Sequence, residues 1–499
     1  VKLKEKFETM FRELLPEYEL LNHGMLDEGS AVLYNTIHTM IEKKTYYEGE
    51  RLAALIIDCG GGTTDLSSCL FSVRNLGSSY QVTIDTAYEN GETNFGGNNI
   101  TYRIMQYLKI VFAAYYTGQR RLQVSNFIEE VEQDVFRMVD RKGRNEVYRL
   151  LEEEYDRVEE VIPTRFKQYE NRSREEYYKV KNNFYFLFQM ADKLKREFYK
   201  ETGVLQCRFA LGTEAGSELQ NVIKVDNWNL IVREEGKERL HHDVPPILFN
   251  INEIELLMKA DIYWIINKFL NKLFVNGELE QYSVIKLSGQ SCRIEVFRDA
   301  LKEFIPGKCI EFKPYGKDEK SIMDLKLACV RGAIQYVHAL STGMIKADVM
   351  SSSENIPYSI STNTHEGKEK VLINSLNREH SYGYLSRNKD LTKIEFFLRD
   401  EEGNLKYRYY YQNQSDAYTP CTYEEIKEKY ENYKEYIIQD ETDIIRDFEV
   451  KFFVFAAKEK WGFYVVPIAR SGPQLYLGEE QFFAFENNIW EVNFFDGDK

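Results

Sequence analysis

The stretch Ile56-Ile57-Asp58-Cys59-Gly60-Gly61-Gly62-Thr63-Thr64-Asp65-Leu66-Ser67 decides how the chain is read. Residues 51–57, leading into it, are nearly all apolar, which fits a strand buried on both faces of a central sheet. Three glycines then break the strand. Without Cβ atoms, their backbone can approach a phosphate closely and point N–H groups at it. Asp58 and Asp65 flank the bend as acceptors for a hydrated Mg²⁺ or an attacking water. Thr63 and Thr64 add two hydroxyls. The competing reading is a tight hairpin whose glycines serve only turn geometry; the paired acids and hydroxyls favour phosphate binding.

Working outward, strands are expected at 64–71 and 80–86, then a Gly-rich turn at 90–97 and a helix over 100–116. Upstream, residues 1–44 read as two helices joined by a loop at 22–29. Residues 117–182 are charge-rich and carry Glu152-Glu153-Glu154 and Glu159-Glu160, which reads as an inserted helical hairpin with a solvated face. A helix over 184–199 follows, then strands to about 232. A long amphipathic helix opens at Asn252, with Ile254, Leu257, Ile262, Ile265, Ile266 and Phe269 on its apolar side. Residues 284–287 read as a buried strand, 288–292 as a turn, and 293–304 and 324–340 as helices. Beyond Met350 aromatic-rich alternating runs such as Phe452-Phe453-Val454-Phe455 signal a β-rich domain, with a helical stretch near 423–436. The expected division is a nucleotide-binding domain over 1–343, its insertion at about 117–182, a linker over 344–354, and a β-rich domain over 355–499.

Composition narrows the function classes. The 499 residues are 43% hydrophobic, 29% charged and 14% aromatic, the balance of a globular protein of more than one domain. With 80 acidic and 65 basic residues the net charge is −15, which repels phosphate backbones and argues against nucleic acid as a partner. No apolar run reaches the roughly 20 residues that cross a bilayer, so no membrane partner is expected. Seven scattered cysteines without a CxxC pair fit a reducing cytoplasm rather than a disulfide scaffold or zinc site. The adjacent His241 and His242 read as a loop, not a metal site.

Taken in order, the motifs resemble those of the DnaK-type seventy-kilodalton heat-shock chaperones, within the actin-like ATPase superfamily. The 56–67 stretch is similar to the family's second phosphate motif. Asp27-Glu28-Gly29-Ser30-Ala31-Val32 resembles its connecting motif, which implies that Glu28 lies near the metal and the attacking water. Gly91-Glu92-Thr93-Asn94-Phe95-Gly96-Gly97 resembles the Gly-rich turn whose nucleotide-facing member is Gly97, although Asn98 and Asn99 stand where the family has acids. Met190 to Phe198 resembles the adenosine-contacting helix, with Asp192, Lys195 and Arg196 on one face. Leu287 to Ile294 resembles the adenosine motif, which implies roles for Gly289, Gln290 and Arg293; Ser288 replaces a usual glycine. Leu327 to Gln335 is similar to the closing helix, with Gly332 and Ala333 at its close contacts. Residues 356–361 and 371–373 resemble, more weakly, the opening strands of the chaperone peptide-binding domain.

The resemblance implies an α/β, two-lobed actin-like (ribonuclease-H-like) domain followed by the β-rich domain, acting as a chaperone ATPase in the cytoplasm. ATP or ADP would be held by Gly60, Gly61, Gly62, Thr63, Thr64, Gly97, Asp192, Lys195, Arg196, Gly289, Gln290 and Arg293. Glu28, Asp58, Thr63 and Asp65 form the implied catalytic set, with Asp58 reaching Mg²⁺ through water. Peptide or protein clients, a co-chaperone and a partner chain are the implied partners. The family's first phosphate loop and catalytic lysine lie upstream of the connecting motif and have no counterpart before Glu28. With the non-Met start, that implies either an N-terminally truncated portion or a degenerate member with impaired hydrolysis. The alternative is a catalytically weak or inactive actin-like scaffold or filament protein with ATP as a structural ligand.

Overall fold

The computed structural model describes residues 2–18, 26–92, 95–128, 134–200, 203–212, 221–305, 310–311, 327–350, 358–365, 367–374, 381–399, 403, 405–414, 417–457, 462–485, 495 and 497. The chain is mixed α/β and forms two compact units. One comprises Leu26–Met350 and Val492–Lys499; the other comprises Val1–Met25 and Ser351–Glu491.

The larger unit is organised on six strands: β1 (Leu52–Cys59), β2 (Thr64–Asn75), β3 (Tyr80–Glu92), β9 (Tyr282–Ser288), β10 (Ile310–Glu311) and β11 (Ile345–Met350). Their order in the sheet is β10-β9-β1-β2-β3-β11. The first three form an antiparallel meander, and β9 lies parallel to β1. The apolar run of β1 is buried on both faces, as its composition requires. Leu55, Ile57 and Cys59 enter one core; Ala54 and Ile56 enter another. On the first face lie α3 (Gly97–Tyr116), α7 (Arg174–Lys200), α8 (Ile251–Val275) and α9 (Glu295–Lys302). On the second lie α2 (Glu28–Lys43) and α10 (Ala328–Ser341). Asp27 starts α2 by accepting the Ser30 N–H at 2.6 Å, satisfying one of the donors a helix start leaves open.

Four expectations are corrected here. Residues 117–182 are not a solvated hairpin. They form α4 (Val135–Lys142), α5 (Arg144–Val147) and α6 (Arg149–Arg157), and α7 begins inside the segment. Leu151, Tyr155, Val158 and Ile162 repeat every three to four residues and join the main core, while the intervening charges pair locally on the surface. The stretch 345–350, expected to be linker, is β11, held parallel to β3; Ile345 is buried, and Ala347 and Val349 pack on the second core. His241 is the last residue of β7 (Lys237–His241), paired with Leu230 of β6 (Leu230–Glu234), while His242 follows outside the strand. The chain's end also leaves the expected 355–499 domain, since Phe495 packs against Phe184 and Phe188 of α7.

In the smaller unit the aromatic alternation becomes two sheets. One has the order β13 (Glu369–Ile373), β12 (Ser359–Asn363), β15 (Lys393–Arg399) and β16 (Leu405–Gln412). The other runs through β14 (Tyr382–Asn388), β18 (Glu449–Ala456), β19 (Gly462–Ser471), β20 (Gln474–Leu477) and β17 (Thr419–Cys421), with β21 (Gln481–Ala484) also on β19. Val450, Phe452 and Val454 share a core with Phe396 and Tyr409 of the first sheet. Phe453 and Phe455 point the other way, to a cluster with Ile426 of α11 (Tyr423–Lys429) and with Tyr430 and Tyr433. The period of two is therefore buried on both sides, which explains why this stretch is so rich in Phe. Among the described residues no helix is long and apolar enough to cross a membrane.

Candidate functional site

β1 and β2 pair in register from Leu52 with Phe71 to Cys59 with Thr64, so Asp58 and Asp65 stand opposite each other beside the turn of the hairpin. Between them, Gly60 N–H donates to Thr63 O at 2.9 Å and closes the bend. The start of α3 is tied to it: Gly97 N–H donates to Gly60 O at 2.9 Å and Asn98 N–H to Gly61 O at 2.7 Å. Ser291 Oγ donates to the same Gly60 oxygen at 3.1 Å. The carbonyls of Gly60, Gly61 and Thr63 are thus satisfied within the protein. Among the described residues the N–H groups of Gly61, Gly62 and Thr63 donate to nothing, and all three residues are exposed.

The glycines themselves need explaining. None of Gly60, Gly61 and Gly62 has a positive φ. A Cβ on Gly61 or Gly62 would meet no described atom within 4 Å. Neither backbone strain nor packing requires glycine at these two positions, so turn geometry alone does not account for them. Gly289 is different. Its φ is +82°, and a Cβ there would lie 2.2 Å from Cys59 O and 2.6 Å from Asp58 Oδ1. It lets the end of β9 close over the end of β1.

The bend opens on a cavity of about 720 Å³, within the range of about 300–1,000 Å³ typical of small-molecule sites. Asp58, Gly60, Gly61, Gly97, Asp192, Lys195, Arg196, Gly289, Gln290 and Arg293 line it. Residues from four separate stretches, expected to act together, do share one cleft. Asp192 links the cations on its helix face, 3.4 Å from Lys195 Nζ and 2.8 Å from Arg196 Nη2. Lys195 Nζ also donates to Gly97 O at 3.0 Å and Thr101 Oγ1 at 2.5 Å, joining α7 to the glycine segment. Arg293 Nη2 donates to Lys200 O at 3.2 Å, where α7 ends.

Gly62, Thr63, Asp65 and Glu28 do not line the cavity itself. Thr63 Oγ1 donates to Asp65 Oδ2 at 3.2 Å. Thr64 is corrected: its side chain is fully buried, donating to Phe95 O at 3.0 Å and contacting Cys59 Sγ at 3.1 Å. Strand alternation sends its hydroxyl inward, where it braces the hairpin. Tyr199, Lys200, Ser291 and Cys329 line the cavity and were not anticipated. The Tyr199 hydroxyl is buried and has no partner among the described residues. Its place one helical turn after Lys195 and Arg196 was the available signal.

Burial raises the carboxyl of Asp65 from the usual 3.8 to about 6, and the charges of Glu28 and Asp58 add to the rise against the opposing Thr63 hydrogen bond. Asp58 is raised as well, chiefly by burial. Glu28, at the first turn of α2, therefore acts on both acids. A folded carboxyl with a raised pKa holds its proton more tightly than the unfolded chain does. Its contribution to stability is full below the unfolded value and is lost as pH rises through about 6. Asp65→Asn is thus expected to raise the melting temperature more at pH 7.5 than at pH 4. An equal shift at both pH values would remove Asp65 from the acid cluster. Among the described residues no group of three or more His, Cys, Asp or Glu is placed to hold a metal directly.

The chain matches no protein-family model and no curated protein.

Proposed function

We propose that the cleft binds ATP with Mg²⁺ and that the larger unit is a divergent, DnaK-like ATPase domain with an actin-like fold. The observation that carries this reading is the row of N–H groups at the exposed residues Gly61, Gly62 and Thr63, which have no partner among the described residues. It lies at glycines the fold does not otherwise need. Such a row is a nest for an anion. The antiparallel meander continued by a parallel strand supports the ribonuclease-H-like assignment. The Asp192, Lys195 and Arg196 face, lining the same cleft as Gly289 and Arg293, supports adenosine there.

Bound Mg²⁺ would neutralise charge on the terminal phosphates. The residues divide the remaining work. The bend's N–H groups hold the phosphate oxygens. Asp58 would accept hydrogen bonds from the metal's water shell. Asp65, titrating near 6, is ionised at neutral pH yet close enough to it to take a proton from an attacking water. Burial keeps both acids basic, and the charge of Glu28 adds to that. Clients of peptide character would belong to the smaller unit.

The test is a calorimetric titration of MgATP into the full chain, followed by steady-state phosphate release. Saturable one-to-one binding is expected, and its absence sinks the reading. Asp65→Asn is expected to change affinity by less than about threefold and to lower phosphate release at least about tenfold. A scaffold that holds ATP without turnover is the second reading. It is favoured by Lys195, whose ammonium is tied to Gly97 and Thr101 rather than directed at the bend. Binding without measurable phosphate release would decide for it.

A further inference from the structure

The smaller unit contains a second cavity, of about 370 Å³, that the nucleotide reading does not use. It lies between the end of α11, the turn over Glu431–Tyr433, and the outer face of the sheet. Phe455 of β18 and Tyr464 of β19, direct cross-strand partners, supply its floor. Tyr433 stands over both, its ring centre 4.8 Å from Phe455 and 5.7 Å from Tyr464. Tyr430 closes another side and donates its hydroxyl to Glu480. Glu428 and Glu431 complete the lining together with Asn432 and Lys429.

Aromatic faces carry negative charge and attract cations, and three carboxylates around them add to that field. An anion would be repelled here. A neutral apolar group would gain nothing from the carboxylates, which attract only positive charge. A bare metal ion finds no group of three ligating side chains among the described residues. We propose that this cavity binds an alkylammonium group, the chemistry shared by a lysine or methyl-lysine side chain and a free quaternary amine. Lys429 already samples that seat. Its ammonium is 3.7 Å from Glu480 and 5.3 Å from the Tyr430 ring centre, yet its side chain remains half exposed. So exposed a pair is weak and can be displaced.

The experiment uses the full chain and three probes, followed by NMR titration: choline, its neutral carbon isostere dimethylbutanol, and a short peptide bearing one trimethyl-lysine. Choline and the peptide are expected to saturate the same resonances, and dimethylbutanol to bind at least about tenfold more weakly. Lys429→Ala is expected to tighten choline binding by about threefold, since it removes the internal competitor. Glu431→Gln, at an exposed position that leaves folding intact, is expected to weaken it by about threefold. Dimethylbutanol binding as tightly as choline overturns the proposal. So does absence of saturation by choline and peptide alike in both the wild type and Lys429→Ala. A peptide at least about tenfold tighter than choline assigns the site to a protein segment, and parity assigns it to a free amine. None of these residues belongs to the nucleotide cleft, so either reading can fail alone.

Discussion

Gly61→Val is expected to lower the affinity for MgATP by at least about a hundredfold, close to 3 kcal/mol, while leaving the fold intact. The two halves of this expectation come from one observation. A Cβ at residue 61 meets no described atom within 4 Å, and the backbone there does not have a positive φ. The protein itself has room for valine, so the melting temperature should move by no more than about 2 °C. The extra methyls would instead occupy the space in front of the exposed N–H groups of Gly61, Gly62 and Thr63. A phosphate could then no longer reach them. Calorimetry reads the affinity and a thermal melt reads the fold. Unchanged affinity with an unchanged melt would refute the phosphate assignment. A collapsed melt would contradict the steric argument on which it rests.

Gly332→Val is expected to cost about 3–5 kcal/mol of folding stability, read by urea denaturation. Here the space is absent. A Cβ on Gly332 of α10 would lie 1.8 Å from Ala31 O, 2.7 Å from its carbonyl carbon and 3.2 Å from Asn35 N, all backbone atoms of α2. Backbone cannot rotate aside as a side chain can, so the two helices must separate and the core they share with β1, β2 and β3 must open. Ile334, two residues on, is 63% exposed and serves as the control. Ile334→Asn should stay within about 0.5 kcal/mol of wild type. Similar losses at both positions would show that the α2–α10 contact is not what holds this layer. α2 also carries Glu28 at its start, so loosening that contact is expected to disturb the acid cluster as well.

Local physics was legible from residue order. An apolar run ending in three glycines had to be a buried strand meeting a bend, and β1 is that strand. The apolar spacing after Asn252 had to be a helix, and α8 spans Ile251–Val275. Asp192, Lys195 and Arg196 had to share a helix face, and Asp192 pairs with both cations. These outcomes rest on periods of two and 3.6 residues and on the missing Cβ of glycine, which act within a few residues of one another.

What needed the folded chain depended on partners far away in sequence. Leu151, Tyr155, Val158 and Ile162 were concealed among glutamates, and only their packing on α3 and its neighbours separates a core stripe from a solvated arm. Lys109, fully buried, is matched by Glu159 fifty residues later, a pair no local pattern announces. Ile345–Met350 had no strand partner nearby and found β3, some 265 residues upstream. The inward turn of Thr64, the tethering of Gly97 and Asn98 to the bend, and the three N–H groups left without partners among the described residues are consequences of which backbone groups meet in space. Residue order set what each segment could form. Close packing and the pairing of buried polar groups decided which segments met, and therefore which amides found no partner among the described residues.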